Sequence, residues 1–344
     1  MTTALTPSRR SRKRAIKLTL AAIVLVLIVT VVIPKFANYR DIGHQLGSVS
    51  TKWLMVLVLA EVVNLGAFAP NWVVALPGLS YFASLRLTLS GAAISNLAPM
   101  GGPVGMTMQY NMMRDWGFER RDASRAMIVT GIWNQFYNLG MPIVALVLLT
   151  ARGGKNAALM VAAEIGLPIL LIATVTFILV LRSDRAAVML GNRADRIGTT
   201  FRRIFHKPPL VGSADAIARF RLDSLDLLRR RWAALTLTTT IGFLTSFAAL
   251  MCCIRAVGIS GTQITFTEGF AAWSCSLLLS AIPITPGGLG VTDIGLSGAL
   301  IAFGAKQPPA VGAVLLCRAL TWLPPIFFGS LATAWWRRQK DHAP

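Results

Sequence analysis

The sequence predicts an all-α polytopic integral membrane protein, an inverted-topology repeat with two re-entrant helical hairpins. Three observations lead there. Of 344 residues, 54% are hydrophobic and only 14% are charged, whereas a soluble domain carries roughly 25% charged residues. Apolar runs near the ~20 residues that cross a bilayer recur along the chain, and the mean hydropathy is +0.61. Two helix-breaking phrases sit at corresponding places in the two halves. The first is Asn96-Leu97-Ala98-Pro99-Met100-Gly101-Gly102-Pro103-Val104-Gly105. The second is Ile282-Pro283-Ile284-Thr285-Pro286-Gly287-Gly288-Leu289-Gly290-Val291. Irregular backbone at membrane depth survives only when buried in protein or lining a cavity. Paired breaks therefore point to a binding region.

Taken in order, residues 1–17 form a basic tail with Arg9, Arg10, Arg12, Lys13, Arg14 and Lys17 before the apolar run 18–33. No small-x-small cleavage site follows, and Pro34-Lys35 closes the run. This predicts a first membrane helix with a cytoplasmic start, in preference to a cleaved signal. A second span covers 53–76, with Pro70 as a kink. Residues 82–98 lead into the first phrase, and polarity returns at Arg114-Asp115, followed by Arg120, Arg121 and Arg125. Segment 82–113 thus enters and leaves on the cytoplasmic side, as a re-entrant hairpin. Residues 122–150 form the next span, with Asp122 as its N-cap. A turn at Gly153-Gly154-Lys155 is outside, and 157–181 returns.

The longest polar stretch, 182–231, is arginine-rich and cytoplasmic. Leu190, Ile197, Phe201 and Ile204 fall on one helical face, as do Ile217, Phe220 and Leu227. Two readings remain open here: basic amphipathic helices at the headgroup level, or an ordinary positive-inside loop. Residues 232–254 then cross outward, 267–280 lead into the second phrase, and 291–303 come back. The last span is 310–334, closed on the cytoplasmic side by Trp335-Trp336-Arg337-Arg338. The count is helix, helix, hairpin, helix, then the same order inverted. The chain is one membrane domain, 1–344, with a first repeat over 18–150 and a second over 157–336. The competing reading makes each hairpin two ordinary spans, but the half-segments are short for ~30 Å of hydrocarbon.

The net charge of +20 lies between apolar segments rather than on an aromatic-studded basic domain. It reads as a topology signal, and no nucleic-acid partner is expected. Cys252, Cys253, Cys275 and Cys317 form no CxxC and read as small buried residues. His44, His206 and His342 are scattered, so neither a metal site nor a catalytic Ser/His/Asp or Cys/His set is expected. GxxxxGK[ST] is absent, and no cofactor is expected.

Charge within the membrane marks pathways or internal pairs. Asp293, just past Gly290, and Arg318 in the last span form either a headgroup contact or a structural ion pair. Glu61 and Glu164 read as interhelical hydrogen-bonding groups. Arg86, Arg255 and Glu268 lie within or at the edges of other spans. The first hairpin has no charge between Pro99 and Met113 and offers Asn96 with the amides of Gly101, Gly102 and Gly105. Free amides in a Gly-rich turn can hold a phosphate. The candidate substrate-binding set is Asn96, Gly101, Gly102, Gly105, Gly287, Gly288, Gly290, Asp293 and Arg318.

The stretch 278–338 resembles the end of the lysylphosphatidylglycerol synthase transmembrane-domain family. The resemblance is carried by Pro286-Gly287-Gly288-Leu289-Gly290-Val291, Asp293, Cys317-Arg318-Ala319-Leu320-Thr321, Leu323-Pro324 and Trp336-Arg337-Arg338. Ser95-Asn96-Leu97-Ala98-Pro99 and the segment 218–231 before Trp232 also fit. The resemblance implies a multi-pass protein of the bacterial inner membrane with both termini cytoplasmic. In the best-understood members of the family this region moves an aminoacylated phospholipid from inner to outer leaflet, while a separate soluble domain synthesises it. Asp293 falls at an often acidic position of the family and Arg318 at a common arginine.

Two departures qualify what the resemblance implies. The chain ends just after its last span, so lipid synthesis by the chain alone is not expected. Many relatives carry a charged phrase, roughly P-G-R-x-G-E, where this chain has uncharged Met100-Gly101-Gly102-Pro103-Val104-Gly105-Met106. The expected function is flipping of an anionic phospholipid or lipid-linked substrate, by alternating exposure of a cavity between the hairpins. The alternatives are a membrane subunit of a lipid-linked glycosyl- or aminoacyl-transferase, with a soluble transferase partner, and a scaffold docking through 182–231.

Overall fold

The computed structural model describes residues 49–97, 101–151, 213–280 and 291–341, with Gly47, Gly288, Gly290 and scattered positions between 168 and 199. The expected first span 18–33, the turn at 153–155 and most of 157–212 lie outside the described residues. Among the described residues there is no strand. The helices are α1 (Thr51–Ala75), α2 (Tyr81–Leu97), α3 (Gly101–Asp115), α4 (Arg120–Ala151), α5 (Ser213–Ala256), α6 (Phe266–Ser280), α7 (Val291–Ala302) and α8 (Gln307–Asp341).

Four of them hold stretches long and apolar enough to cross a bilayer: α1, α4, α8 and residues 229–256 of α5. An all-α polytopic membrane protein follows. Between the long helices lie two short pairs, of 17 and 15 residues and of 15 and 12 residues. At 1.5 Å per residue these helices run from about 18 to about 25 Å, less than the ~30 Å of hydrocarbon.

Three features differ from the sequence expectation. The first phrase does not stay irregular as far as Gly105: α3 is already helical from Gly101, and residues 98–100 lie outside the described residues. Pro103 is tolerated because it lies in the first turn, where its missing N–H has no intrahelical partner to lose. Asp122 is not the N-cap of α4. The helix starts at Arg120 with the Glu119 carbonyl accepting from the Ala123 N–H, and Asp122 in the first turn pairs with Arg125 at 2.8 Å. Residues 213–231 are not separate from the following span, because α5 is one 44-residue helix.

Pro70 interrupts α1 without exposing backbone. It cannot donate to the carbonyl of Gly66, and the Tyr81 hydroxyl, at the start of α2, donates to that oxygen at 3.1 Å. Ser84 on α2 donates to the neighbouring Ala69 carbonyl. In an apolar surrounding each freed carbonyl must find such a donor.

Packing is crosswise. α1 lies along α5, α2 against α8, and α6 against α4. The first limb of each short pair is thereby held by the last long helix of the other half. The α2–α8 contact is close because Gly329 faces backbone: a side chain there would overlap the Leu89 carbonyl and the Ala93 methyl. Small residues of this kind let membrane helices approach. α1 and α5 are joined by polar contacts, with Asn71 Oδ1 accepting from Thr238 and Thr239 at 3.2 and 3.0 Å. Asn64 Oδ1 accepts from Thr245 at 3.3 Å.

Two larger buried cores fill this packing, and a smaller one gathers Leu57, Cys253 and Ala256 between α1 and α5. One of the larger two joins Leu87, Met108, Met112, Ala126 and Leu235 across α2, α3, α4 and α5. The other gathers Phe243, Phe247, Phe270, Trp273 and Leu300 across α5, α6 and α7. Tyr137 of α4 stacks on Phe243, their centroids 5.1 Å apart. The long helix α5 belongs to both.

Candidate functional site: an ion pair and cavity at the second short pair

The site begins with a helix start that glycine makes accessible. Gly288 and Gly290 have φ of +73° and +81°, a region that side-chain-bearing residues enter at a cost. Gly290 is the N-cap of α7. It has no side chain to cap with, so the cap comes from Asp293, whose Oδ2 accepts from the Gly290 N–H at 3.0 Å. This is the return half of a capping box, and a carboxylate in the first turn is also favoured by the helix dipole. Thr292 donates back to the Gly288 carbonyl at 2.8 Å and closes the turn.

The other oxygen of Asp293 points to α8. Arg318 Nε donates to Asp293 Oδ1 at 2.8 Å, and its Nη2 lies 2.5 Å from the same oxygen. The same Nη2 donates to Thr292 Oγ1 at 2.5 Å. One turn further along α8, the Trp322 ring lies 4.9 Å below the guanidinium carbon, a favourable cation–π arrangement. The two charged side chains are 20% and 21% exposed, so each is desolvated enough that removing its partner would leave a costly charge. The pair is a structural ion pair between two helices, locking α7 to α8, and both residues also line a cavity.

That cavity has a volume of about 250 Å³. Asp293 and Arg318 form one wall, Asn64 of α1 and Ser246 of α5 another, and Ser276 and Ser280 of α6 a third. Hydroxyls, an amide and an ion pair in an apolar bundle are the donors and acceptors that orient a polar group while apolar walls exclude water. Arg318 is the group suited to phosphate or carboxylate, through its planar fork of N–H donors.

The other expected site residues lie elsewhere. Asn96 is half-buried at the end of α2, and Gly102 is exposed. Gly101 and Gly105 are buried between α2 and α3, where a side chain would meet the Ser95 carbonyl and the Gly91 carbonyl respectively. None of these four lines the cavity beside Asp293. Gly287 lies outside the described residues. The polar cavity residues that the sequence did not single out are Asn64, Ser246, Ser276, Ser280 and Thr292. A Ser or Thr in an apolar run is common, and only the crosswise packing brings these together.

The remaining charges of the apolar segments serve helix ends and neighbouring contacts. Glu268 and Thr265 form a reciprocal capping box at the start of α6, with bonds of 2.8 and 3.3 Å. Arg255 donates to the carbonyls of Ile259, Ser260 and Ile264, closing the end of α5. Arg86 lies over the Trp335 ring at 4.2 Å. Glu61 bonds within its own helix, to Asn64 at 3.2 Å, and the link to α5 runs through Asn64. Glu164 lies outside the described residues. Among the described residues no group of three or more His, Cys, Asp or Glu side chains could hold a metal.

No curated protein matches the chain closely enough to be compared with it. The family comparison is decisive: residues 16–329, nearly the whole chain, match the lysylphosphatidylglycerol synthase TM region, and the chain belongs to that family of membrane regions.

Proposed function

We propose that this protein translocates a phospholipid or lipid-linked substrate across the bacterial inner membrane. The observation that carries the reading is the Asp293–Arg318 pair lining a half-open cavity whose walls mix hydroxyls and an amide with apolar side chains. Family membership supports a role in lipid modification or translocation. A cavity of about 250 Å³ is smaller than the ~300–1,000 Å³ that enclose a drug-sized ligand. It suits a headgroup, with the acyl chains left in the bilayer. Arg318 engages the anionic part of that headgroup, and Asp293 takes back the guanidinium once the headgroup leaves.

In this reading the two short pairs are re-entrant hairpins, one dipping in from each face, and the halves are inverted repeats. The repeated order of long helix, short pair and long helix supports it, as does the crosswise packing. The arginines of 1–17, 182–231 and 337–338 support cytoplasmic termini and a surface that attracts anionic lipid. A second reading, a membrane subunit serving a soluble transferase partner, is favoured by the family's description as part of a synthase.

The test is leaflet accessibility of fluorescent phospholipids in liposomes holding the purified full chain, with a reductant confined to the outside. Quenching beyond the outer-leaflet fraction, lost in Asp293→Asn with folded protein undiminished, is the expected result. Quenching limited to the outer leaflet for anionic, zwitterionic and aminoacylated lipids alike would overturn translocation and favour the transferase subunit.

A further inference from the structure

Glu61 is the most deeply buried charged side chain among the described residues, at 2% exposure near the middle of α1. Its hydrogen bonding is incomplete. Oε2 accepts from the Asn64 amide at 3.2 Å, while Oε1 is buried with no partner. Near Glu61, Leu57 of α1 packs in one buried cluster with Cys253 of α5 and Cys317 of α8. Arg318, the next residue on α8, is already engaged by Asp293 and Thr292. Asp293 and Arg318 satisfy each other, and among the described residues Glu61 has no cationic counterpart.

A carboxylate in an apolar interior with no basic partner is too costly to persist unless something neutralises it. The neutralising particle has to be small, and the route to it is on the page. Asn64, one turn along α1, hydrogen-bonds Glu61 on one side and lines the Asp293–Arg318 cavity on the other. Cys317 lines that cavity as well. Glu61 therefore stands directly behind the cavity wall.

We propose that Glu61 is the binding site of a monovalent cation, H⁺ or Na⁺, whose occupancy is coupled to opening of the cavity lined by α1, α5, α6, α7 and α8. A proton would sit on the unpartnered oxygen. Na⁺ would use that oxygen with the neutral oxygens of Asn64 and Thr245, the hard donors such an ion prefers. With the cation bound, the wall behind Asn64 is neutral and stays dry. With the cation lost, the bare carboxylate favours the conformation in which water reaches it, so a cation gradient biases the two states through their different affinities. Coupling to transport rests on the translocation reading above, whereas occupancy of Glu61 does not.

The experiment uses the purified full chain, with wild type, Glu61→Gln and Glu61→Asp compared in detergent and in liposomes. Infrared spectra read a protonated carboxyl, and radioactive Na⁺ reads sodium binding. One of the two signals is expected in wild type, lost in Glu61→Gln and retained in altered form in Glu61→Asp, which identifies the ion. Neither signal depending on Glu61 overturns the site. An imposed pH or Na⁺ gradient should change lipid translocation by wild type, and Glu61→Gln should lose that dependence. Translocation indifferent to both gradients overturns the coupling. Ion binding without any translocation overturns the transport reading and leaves the cation site supported.

Discussion

The two short helix pairs begin from similar phrases and end as different objects. In the first, α2 and α3 close on each other through glycine. Gly105 and Gly101 press on the backbone of α2, and Gln109 donates across to the Leu87 carbonyl at 3.1 Å. The space between the limbs is filled, and the pair is a packed joint. In the second, the glycines lie before α7 with positive φ, and a carboxylate three residues into the helix satisfies the turn while bonding Arg318. There the limbs part around a polar cavity. The difference teaches that a Pro/Gly phrase marks where the chain must break, whereas a nearby charge decides whether the break becomes a site.

The sharpest way to break this comparison is to strip the second pair of its charge partner. Arg318→Ala should abolish lipid translocation and cost about 3 kcal/mol of stability, since Asp293 would be left desolvated and unpaired. Translocation assays and thermal unfolding in detergent would show both, and an active variant would return the pair to a purely structural role. Next is the packed joint. Gly105→Val should cost about 2 kcal/mol by forcing the Gly91 backbone and Ser95 away, with the loss visible as less folded protein rather than altered substrate preference. If it changed headgroup selectivity at unchanged stability, the first pair would be a binding element after all.

Gly288→Ala probes the turn itself. It places a methyl at positive φ, 2.9 Å from Thr292 Cγ2, and should cost about 1–2 kcal/mol with a matching fall in thermal midpoint. The smallest effect belongs to Gly102→Ala. Nothing lies within 4 Å of the added carbon, and the change should be neutral or stabilising by a few tenths of a kcal/mol. A large loss there would mean that the Gly102 amide contacts a ligand.

Much of this was legible beforehand, for reasons that differ by element. The long helices could be read because apolar length near that of a bilayer is a one-dimensional property, and α1 and α4 begin and end within two residues of the expected spans. The N-cap position falls at Glu119, three residues before Asp122, because several N-terminal positions accept a carboxylate. Helix resumed at Gly101 because its first turn asks little of Pro103. The continuity of α5 was hidden by composition: arginine-rich and apolar stretches look like two segments, but no backbone break separates them.

By itself the sequence determined the membrane class, the family and the pairing of Asp293 with Arg318 as a possibility, since each depends on residue type and spacing along the chain. Tertiary structure decided which glycines are joints and which are turns, and which neutral residues line the cavity. The reason is that packing and access are relations between helices far apart in sequence. Asn64, Ser276 and Arg318 become one wall only when α1, α6 and α8 meet.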